Sequence, residues 1–293
     1  MSSARLIIPQ FLLLVLMMLP IIPLVEGTCR SSCAGIPIKD EFGVDDGCGA
    51  PEFRNMLVCS STRAGKGGDG DDTLWFVTIS GKYPVKSIDY VTKTMIIFSN
   101  PETSSKSNQT STTCTNHGFL MTDLQFSVIR PSPDTVFALL NCSANSPVFD
   151  PSNSVCLNDY GEHSCSEMYG AACADSFEGF KPSKATSLPP CCFSRFDVLR
   201  NMSRFNIVSG CTHFTSFHDT TGRDLNGRVG RPADWSYGIK LSYSTSMQTD
   251  CDRCTLSGGI CGFQVETFEM TCICSTTLNT TTECGNIFFY QVL

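Results

Sequence analysis

After residue 27 the sequence contains no apolar run approaching the roughly 20 residues that a membrane-spanning helix needs. It also lacks a block of lysines and arginines: 28 acidic residues outnumber 21 basic ones, and the net charge is −7. Since phosphate neutralisation dominates affinity for nucleic acid, this balance argues against a nucleic-acid partner. Helical periodicity is scarce, which favours a mainly β chain.

The first 27 residues have the three parts of a secretory signal. Arg5 supplies a positive start, and an almost wholly apolar run follows from Leu6 to Val25. Small residues at Val25 and Gly27 predict cleavage before Thr28, and prolines in the run weaken the alternative of an uncleaved anchor helix. The sequence therefore predicts a signal peptide at 1–27, no membrane span after its removal, and a secreted, extracellular product.

All eighteen cysteines lie after the predicted leader. An oxidising secretory route keeps disulfides, so the even count predicts up to nine bridges, with a connectivity that spacing leaves open. The predicted disulfide cysteines are Cys29, Cys33, Cys48, Cys59, Cys114, Cys142, Cys156, Cys165, Cys173, Cys191, Cys192, Cys211, Cys251, Cys254, Cys261, Cys272, Cys274 and Cys284.

Short β-branched and aromatic runs alternate with turn-forming clusters, a pattern typical of strands. Strands are predicted at 74–79, 85–90, 94–98, 124–129, 136–141, 205–208, 214–217, 237–243 and 265–274, with one helix at 195–203. Two prolines place a linker at 146–155. The predicted fold class is mainly β and disulfide-rich, with two tandem small β domains, 28–145 and 156–293, and few short helices. Their six and twelve cysteines could each be paired internally.

The mature N-terminus combines C-x3-C with Phe42-Gly43, Cys48-Gly49-x-Pro51-x-Phe53 and Cys59. This arrangement resembles the galacturonan-binding module of plant wall-associated receptor kinases, in which C-G-x-I-x-I-x-Y-P-F-G leads to C-G-x-P-x-F-x-L-x-C. Ile36 and Ile38 also match, whereas Asp40-Glu41 stands where the family has Tyr-Pro. The segment 126–142 is similar to the family's F-S-x3-N-x-F-x3-G-C stretch.

The resemblance extends to the second half of the chain. The Cys191-Cys192 pair, W-S-Y-G-I at 235–239 and C-D-R-C-T-L-S-G-G-I-C-G-F at 251–263 resemble the cysteine-rich C-terminal ectodomain of the same receptor-like proteins. The kinase motifs V-A-I-K, H-R-D and D-F-G do not occur. The resemblance implies a non-catalytic, secreted glycoprotein that binds pectin, an acidic cell-wall polysaccharide. The alternative is an interaction module for a receptor-like protein partner.

Direct binding of galacturonate carboxylates requires cations, and arginine can pair with a carboxylate through two hydrogen bonds. Between residues 28 and 66 five cations balance five anions, so a basic patch must come from folding. The aromatic residues Phe42, Phe53, Trp75 and Trp235 are predicted in the core. No resident cofactor is expected, although calcium held by the acidic run 69–72 could bridge to pectin. The candidate ligand-binding residues are Arg30, Lys39, Arg54, Arg63 and Lys66.

Two other site hypotheses are weaker. Cys251, Cys254, Cys272 and Cys274 have zinc-like spacing, but export favours two disulfides and no metal. A hydrolase could use His213, Ser216, His218 and Asp219, yet no G-x-S-x-G elbow accompanies them and a half-exposed strand explains the run. The sequence therefore predicts that the protein is not an enzyme.

Four N-x-S/T sequons fit an exported glycoprotein. Asn279 lies in a polar run and is the strongest candidate, whereas Asn141 is the weakest because Cys142 follows it. The predicted glycosylation sites are Asn108, Asn141, Asn201 and Asn279.

Overall fold

The structure is a computed structural model that describes residues 29–39, 41–61, 72–99, 114–116, 118–152, 155–157, 160, 162–170, 173, 188–195, 210–218, 235–244, 248–275 and 278–285. Among these residues no helix has the length and apolar character needed to cross a membrane. The mainly β, disulfide-rich class is confirmed, since strands predominate and all eighteen cysteines are paired.

The elements follow in chain order. The strands are β1 (Ser32–Cys33), β2 (Ile36–Pro37), β3 (Leu57–Ser61), β4 (Asp72–Thr78), β5 (Gly81–Asp89), β6 (Thr94–Ile97), β7 (Ile129–Pro131), β8 (Val136–Cys142), β9 (Cys192–Arg195), β10 (Cys211–His218), β11 (Ser236–Tyr237), β12 (Ile239–Tyr243), β13 (Ile260–Phe263), β14 (Met270–Ser275) and β15 (Leu278–Thr280). The helices are α1 (Asp123–Val128), α2 (Glu162–Gly170) and α3 (Gln248–Leu256). Two short 3-10 turns cover Pro51–Phe53 and Pro147–Phe149.

The largest sheet has six antiparallel strands in the order β3-β4-β5-β6-β12-β7. Side chains alternate between its faces, so one face supplies most of the core. The buried residues of that inner face are Leu57, Leu74, Phe76, Tyr83, Val85, Met95, Ile97, Ile129, Ile239 and Leu241.

The second sheet has the order β11-β10-β8-β9 and is buried on both faces. Phe137, Leu139 and Phe214 join the core of the six-stranded sheet. Ala138 and Phe217 instead belong to a second core. A strand covered on both sides reads as a continuous apolar run, which explains the sequence VFALL in β8.

A three-stranded sheet, β13-β14-β15, packs with α3 near the end of the chain. The disulfides Cys251–Cys261 and Cys254–Cys272 connect α3 to β13 and β14, respectively. A third, Cys274–Cys284, connects β14 to the segment after β15. We call this sheet, together with α3 and the segment to Cys284, the C-terminal unit. It relies on cross-links as well as on a modest apolar core.

The expectation that each half pairs its own cysteines is wrong. Cys114–Cys173 and Cys142–Cys211 both cross the proposed linker at 146–155. The strand β12 also lies between β6 and β7, and β10 pairs with β8. Even counts permit internal closure without requiring it, since pairing depends on which strands become neighbours. The predicted domains 28–145 and 156–293 thus share two sheets and two disulfides.

Most predicted strands that fall on described residues are confirmed, but the strand at 124–129 is wrong. Residues Asp123–Val128 form α1, and only Ile129 enters a strand. A capping box explains the helix: Gln125 N donates to Thr122 Oγ1 and Thr122 N donates to Gln125 Oε1, both at 3.1 Å. The predicted strand at 265–274 begins only at Met270. The predicted strand at 205–208 and residues 196–203 of the predicted helix lie outside the described residues, while Arg195 ends β9.

Replacing Thr122 by Ala should lower the free energy of unfolding by about 1 kcal/mol, because the N-cap hydroxyl satisfies a helix N–H. Thermal unfolding with intact disulfides would measure the change. Ser127→Ala is the matched control, since its Oγ donates only to Leu124 O on an exposed part of α1. Equal stability of Thr122→Ala and wild type would contradict the capping argument.

Candidate functional site

The N-terminal motif forms a compact, cross-linked unit on the inner face of the six-stranded sheet. Cys29–Cys48 closes the motif on itself and Cys33–Cys59 fastens it to β3. Phe42 and Phe53 are buried with ring centroids 4.9 Å apart, and Phe42 packs edge-on against Tyr243 of β12 at 4.8 Å. The prediction that both phenylalanines fill a small core is confirmed, so neither is available to stack on a sugar.

The three described cations of the predicted ligand set have different neighbours. Arg30 Nε lies 3.1 Å from Asp45 Oδ1 in an ion pair. The Lys39 ammonium lies 5.6 Å from the Tyr90 ring centroid. Arg63 and Lys66 lie outside the described residues.

The third of these cations, Arg54, connects the motif to the C-terminal unit. Its guanidinium carbon lies 4.2 Å from the ring centroid of Phe268, and Nη1 donates to Pro51 O at 2.8 Å. Stacking of this kind holds the planar guanidinium in place. The structure therefore gives Arg54 a structural contact, and its role in binding a ligand stays a prediction.

A second group of cations lies on the outer face of the six-stranded sheet, opposite the core. We define the outer sheet face by Trp75, Lys82, Lys86, Ile96, Arg130 and Lys240. Trp75 pairs with Pro84 and Val77 pairs with Lys82, so the indole and the first lysine are diagonal neighbours. Ile96 pairs with both Ser87 and Lys240, and Arg130 pairs with Ser242 on the next strand.

Trp75 is only half-buried, which corrects the expectation that it is a core residue. Its Nε1 donates to Ser60 Oγ at 2.7 Å across the β3–β4 pair, which fixes the orientation of the ring. The other tryptophan, Trp235, is buried and stacks on Phe217 with centroids 4.0 Å apart, as predicted. The alternation along β4 explains the difference, because Leu74 and Phe76 point inward.

Charges on the outer sheet face are predominantly positive. Lys82, Lys86 and Arg130 are exposed, whereas Lys240 Nζ donates to Asp134 Oδ2 at 2.8 Å. Burial acts to raise the pKa of Asp134, but hydrogen bonds from Lys240 and Ser132 and the lysine charge bring it below its ordinary value. This ion pair therefore persists through the acidic range in which free carboxylates begin to take up protons.

The second anion near this face is Asp89, which pairs with Thr94 at the end of β5. Its Oδ1 accepts from the backbone N–H groups of Val91 and Thr92 at 2.8 and 3.1 Å. Hydrogen bonds from Thr92 and Val91 lower the pKa of this carboxyl. The Asp89 carboxylate is thus held by the backbone of its own turn. The three exposed cations Lys82, Lys86 and Arg130 can therefore contact an anionic ligand.

The residues of the hydrolase hypothesis are not gathered into a triad in the described part of the chain. Ser216 is fully buried in β10, with Oγ 2.5 Å from Ser99 Oγ. His213 points to the other face of the strand, where its Nδ1 lies 2.8 Å from Thr212 Oγ1, and burial lowers its pKa. His218 is buried and Asp219 lies outside the described residues. The predicted strand is confirmed, but it is buried and not half-exposed.

The cysteines with zinc-like spacing are all in disulfides, although not as two pairs among themselves. Cys254 pairs with Cys272, whereas Cys251 and Cys274 pair with Cys261 and Cys284. Of the acidic run considered for calcium, only Asp72 is described, as the first residue of β4.

Two of the predicted glycosylation sites can be compared in the structure. Asn279 is exposed on β15. Asn141 is half-buried, its Nδ2 donates to Thr212 Oγ1 at 2.8 Å, and Cys142 beside it is in a disulfide. Asn108 and Asn201 lie outside the described residues. This placement agrees with the order in which the sequence ranked the two described sites.

Sequence reasoning missed the outer sheet face because its cations come from separate segments of the chain. Lys82 and Lys86 lie in β5, Arg130 in β7 and Lys240 in β12, and only the sheet order makes them neighbours. The detectable signal was the alternation Lys82-x-Pro84-x-Lys86, which predicts one strand face.

Residues 232–277 match the family model described as wall-associated receptor kinase C-terminal. The predicted resemblance to the wall-associated receptor kinases is confirmed over this segment. No curated protein and no solved structure matches the chain. The matched segment contains β11, β12, α3, β13 and β14, so it contributes to all three larger sheets. Nine disulfides and this segment agree with an extracellular location.

Proposed function

We propose that this chain is a secreted, non-catalytic glycoprotein that binds de-esterified pectin, and that the outer sheet face contacts the polysaccharide. The single observation that supports the proposal is the combination of a half-buried tryptophan with three exposed cations on one sheet face of an acidic protein. Relatedness to the wall-associated receptor kinases supports it independently.

The chemistry of the face suits a polymer of acidic sugars. Lysine and arginine pair with carboxylates, and the exposed side of an indole offers an apolar surface for the face of a sugar ring. Half-buried Ile96, which pairs with Ser87 and Lys240, adds apolar area between the cations. A net charge of −7 repels pectin at long range, so binding depends on this local positive patch or on calcium bridging.

The test is retention of the secreted protein on de-esterified pectin at low salt, with calcium or with a chelator, followed by a salt series. Retention should decline as salt screens the ion pairs. Methyl-esterified pectin is the matched ligand control, since it lacks most of the carboxylates. Absence of retention at low salt in both calcium conditions would refute the proposed function.

Replacing Lys82 and Lys86 together by Gln should weaken pectin binding by roughly tenfold, because two charge-assisted contacts are lost at about 0.5–1 kcal/mol each. The double variant Arg195→Gln, Arg253→Gln changes the net charge equally at exposed positions away from this face. It should bind within about twofold of wild type. Equal losses in both variants would indicate a general charge effect and no site on the sheet.

The cations predicted from the N-terminal motif need a separate comparison. A triple variant with Arg30, Lys39 and Arg54 changed to Gln should retain most of the binding if the outer sheet face is the main contact. A larger loss of pectin affinity in this triple variant than in the Lys82, Lys86 variant would indicate that the N-terminal motif is the main contact. The proposal that the protein binds pectin would still hold.

A second candidate function, docking of a receptor-like protein, has its own supporting observation. Of the ten large apolar side chains exposed among the described residues, five lie in the C-terminal unit. They are Leu256, Ile260, Val265, Phe268 and Leu278. Apolar side chains exposed together on one surface are typical of a protein interface. Chemical cross-linking on plant cell walls would test this second function. Cross-linked products that contain polysaccharide but no other protein would contradict it.

A further inference from the structure

Two disulfides of the C-terminal unit lie in direct contact with each other. Cys254–Cys272 is buried, with both cysteines fully inaccessible, whereas Cys274 and Cys284 are half-buried. The non-bonded sulfurs Cys272 Sγ and Cys284 Sγ are 3.5 Å apart. The Sγ atoms of Cys272, Cys274 and Cys284 all lie within 4.8 Å of one another.

Gly259 makes this contact feasible. A Cβ added there would lie 2.5 Å from Cys272 Sγ, 2.6 Å from Cys284 Sγ and 2.9 Å from Cys254 Sγ, closer than real Cβ atoms approach. Any larger residue would have to displace the sulfurs. The backbone around them is also fixed: Cys284 N donates to Ser257 Oγ at 2.8 Å, and Ser257 Oγ donates to Cys254 O at 2.7 Å.

We propose that these four cysteines form a thiol–disulfide exchange site, which an external dithiol converts from the pairs Cys254–Cys272 and Cys274–Cys284 into the single pair Cys272–Cys284. The inference does not depend on pectin binding. It rests on the greater exposure of the Cys274–Cys284 disulfide relative to the buried Cys254–Cys272 disulfide, and on the distance of 3.5 Å between Cys272 Sγ and Cys284 Sγ.

The first step occurs at the more exposed bond. A thiolate of the external dithiol attacks Cys274 Sγ and forms a mixed disulfide, and the electron pair of the broken bond leaves on Cys284 as a thiolate. The second thiol of the reagent then attacks its own sulfur in that mixed disulfide. The reagent leaves as an intramolecular disulfide, and Cys274 is released as a thiol.

The second step occurs within the protein. The Cys284 thiolate is already at the contact distance of 3.5 Å from Cys272 Sγ and attacks it. The Cys272–Cys284 bond forms, the Cys254–Cys272 bond breaks, and Cys254 leaves as a thiolate that takes up a proton. In total one dithiol is oxidised by two electrons and one protein disulfide is reduced, with free thiols at Cys254 and Cys274.

The exchange changes which elements are cross-linked. In the original pairing Cys254 fastens the last turn of α3 to β14. After exchange β14 is linked to the segment beyond β15, and α3 keeps only its bond from Cys251 to Cys261 in β13. The end of α3, with exposed Leu256, is thereby released from the sheet, and the surface of the unit changes.

The experiment uses the oxidised full chain and dithiothreitol as the probe, in limiting amount near pH 8, where free thiols with a pKa of about 8.5 are partly ionised. Acid quenching, alkylation with N-ethylmaleimide and peptide mass spectrometry with fragmentation between Cys272 and Cys274 then locate labels and links. The expected early product carries labels on Cys254 and Cys274 and a Cys272–Cys284 link. Labels on Cys274 and Cys284 with Cys254–Cys272 intact would overturn the proposal, as would no labelling of this cluster before global unfolding.

Two variants test the geometry. In a Cys274→Ser, Cys284→Ser variant the attacking sulfur is absent, so Cys254 should stay unlabelled at the same dose; labelling of Cys254 there would contradict the mechanism. In Gly259→Ala the sulfurs are forced apart, and the Cys272–Cys284 product should be lost while simple reduction of Cys274–Cys284 remains. Unchanged yield of the exchanged pair in that variant would also refute it. If either variant fails to fold, the positions of labels and links in the early product of the wild-type protein are sufficient to support or refute the proposal.

Discussion

Replacing Gly43 by Ala is expected to lower the free energy of unfolding by more than about 3 kcal/mol and to reduce the yield of folded protein. A Cβ at this position would overlap the backbone carbonyl of Cys48 and lie 2.9 Å from Cys48 Cβ. The obstacle is backbone held by the Cys29–Cys48 disulfide, so it cannot move aside as a flexible side chain could.

The same close approach involves both glycines of the motif. Segments 41–43 and 48–50 lie side by side, with Ala50 N donating to Glu41 O at 2.9 Å. Gly49 has φ of +81°, and an added Cβ would lie 2.5 Å from Gly43 N. Phe-Gly and Cys-Gly in the sequence therefore encode two backbones in contact.

Urea denaturation with intact disulfides, together with disulfide mapping, would measure the effect of Gly43→Ala. Gly118→Ala is the matched control, because nothing lies within 4 Å of its added Cβ. It should be neutral or stabilising by up to about 1 kcal/mol. An unchanged urea midpoint for Gly43→Ala would show that the motif tolerates separation of its two segments.

The second large effect is expected at Lys93. Its replacement by Met should lower the free energy of unfolding by about 3 kcal/mol. Lys93 Nζ forms an ion pair with Glu41 Oε1, and the Glu41 side chain is only 2% exposed. Glu41 Oε2 has no hydrogen-bond partner among the described residues. Removal of the lysine would therefore leave a buried carboxylate without its counter-ion, a situation that typically costs 3–5 kcal/mol. The lower end applies because Lys93 itself is 30% exposed.

Substitution of the other partner of this ion pair should lower the free energy of unfolding by less. Glu41→Gln leaves the lysine charge behind, and that charge can reach water, so we expect about 1 kcal/mol. Arg253→Met is the surface control: its pair with Asp250 is half-exposed on both sides and should contribute under about 0.5 kcal/mol. Equal costs for Lys93→Met and Glu41→Gln, measured by urea denaturation, would contradict this asymmetry.

The Glu41–Lys93 pair also concerns the departure of this sequence from the family motif. Asp40-Glu41 stands where the family has Tyr-Pro, and carboxylates in a loop between cysteines are ordinarily exposed to solvent. The structure instead buries Glu41 against the turn that joins β5 and β6. The reason is a partner 52 residues away, which no local pattern identifies.

Local chemistry predicted most of the elements that it could specify. Alternation in β4, β5 and β8 identified strands, and the phenylalanines of the motif were correctly placed in a core. At 124–129 the apolar residues favour a strand, whereas the capping pair Thr122 and Gln125 indicates the helix that forms. That signal was present in the sequence and local, so it could have been used.

By itself the sequence determined that the chain has nine disulfides to form, a mainly β fold, and a segment related to the wall-associated receptor kinases. These properties depend on residue type and on short-range spacing. Only the tertiary structure decided which cysteines pair, that β12 lies between β6 and β7, and that Lys82, Arg130 and Lys240 share one face. Strand order brings together residues more than 100 positions apart. The sequence of an individual strand does not identify the strand with which it pairs.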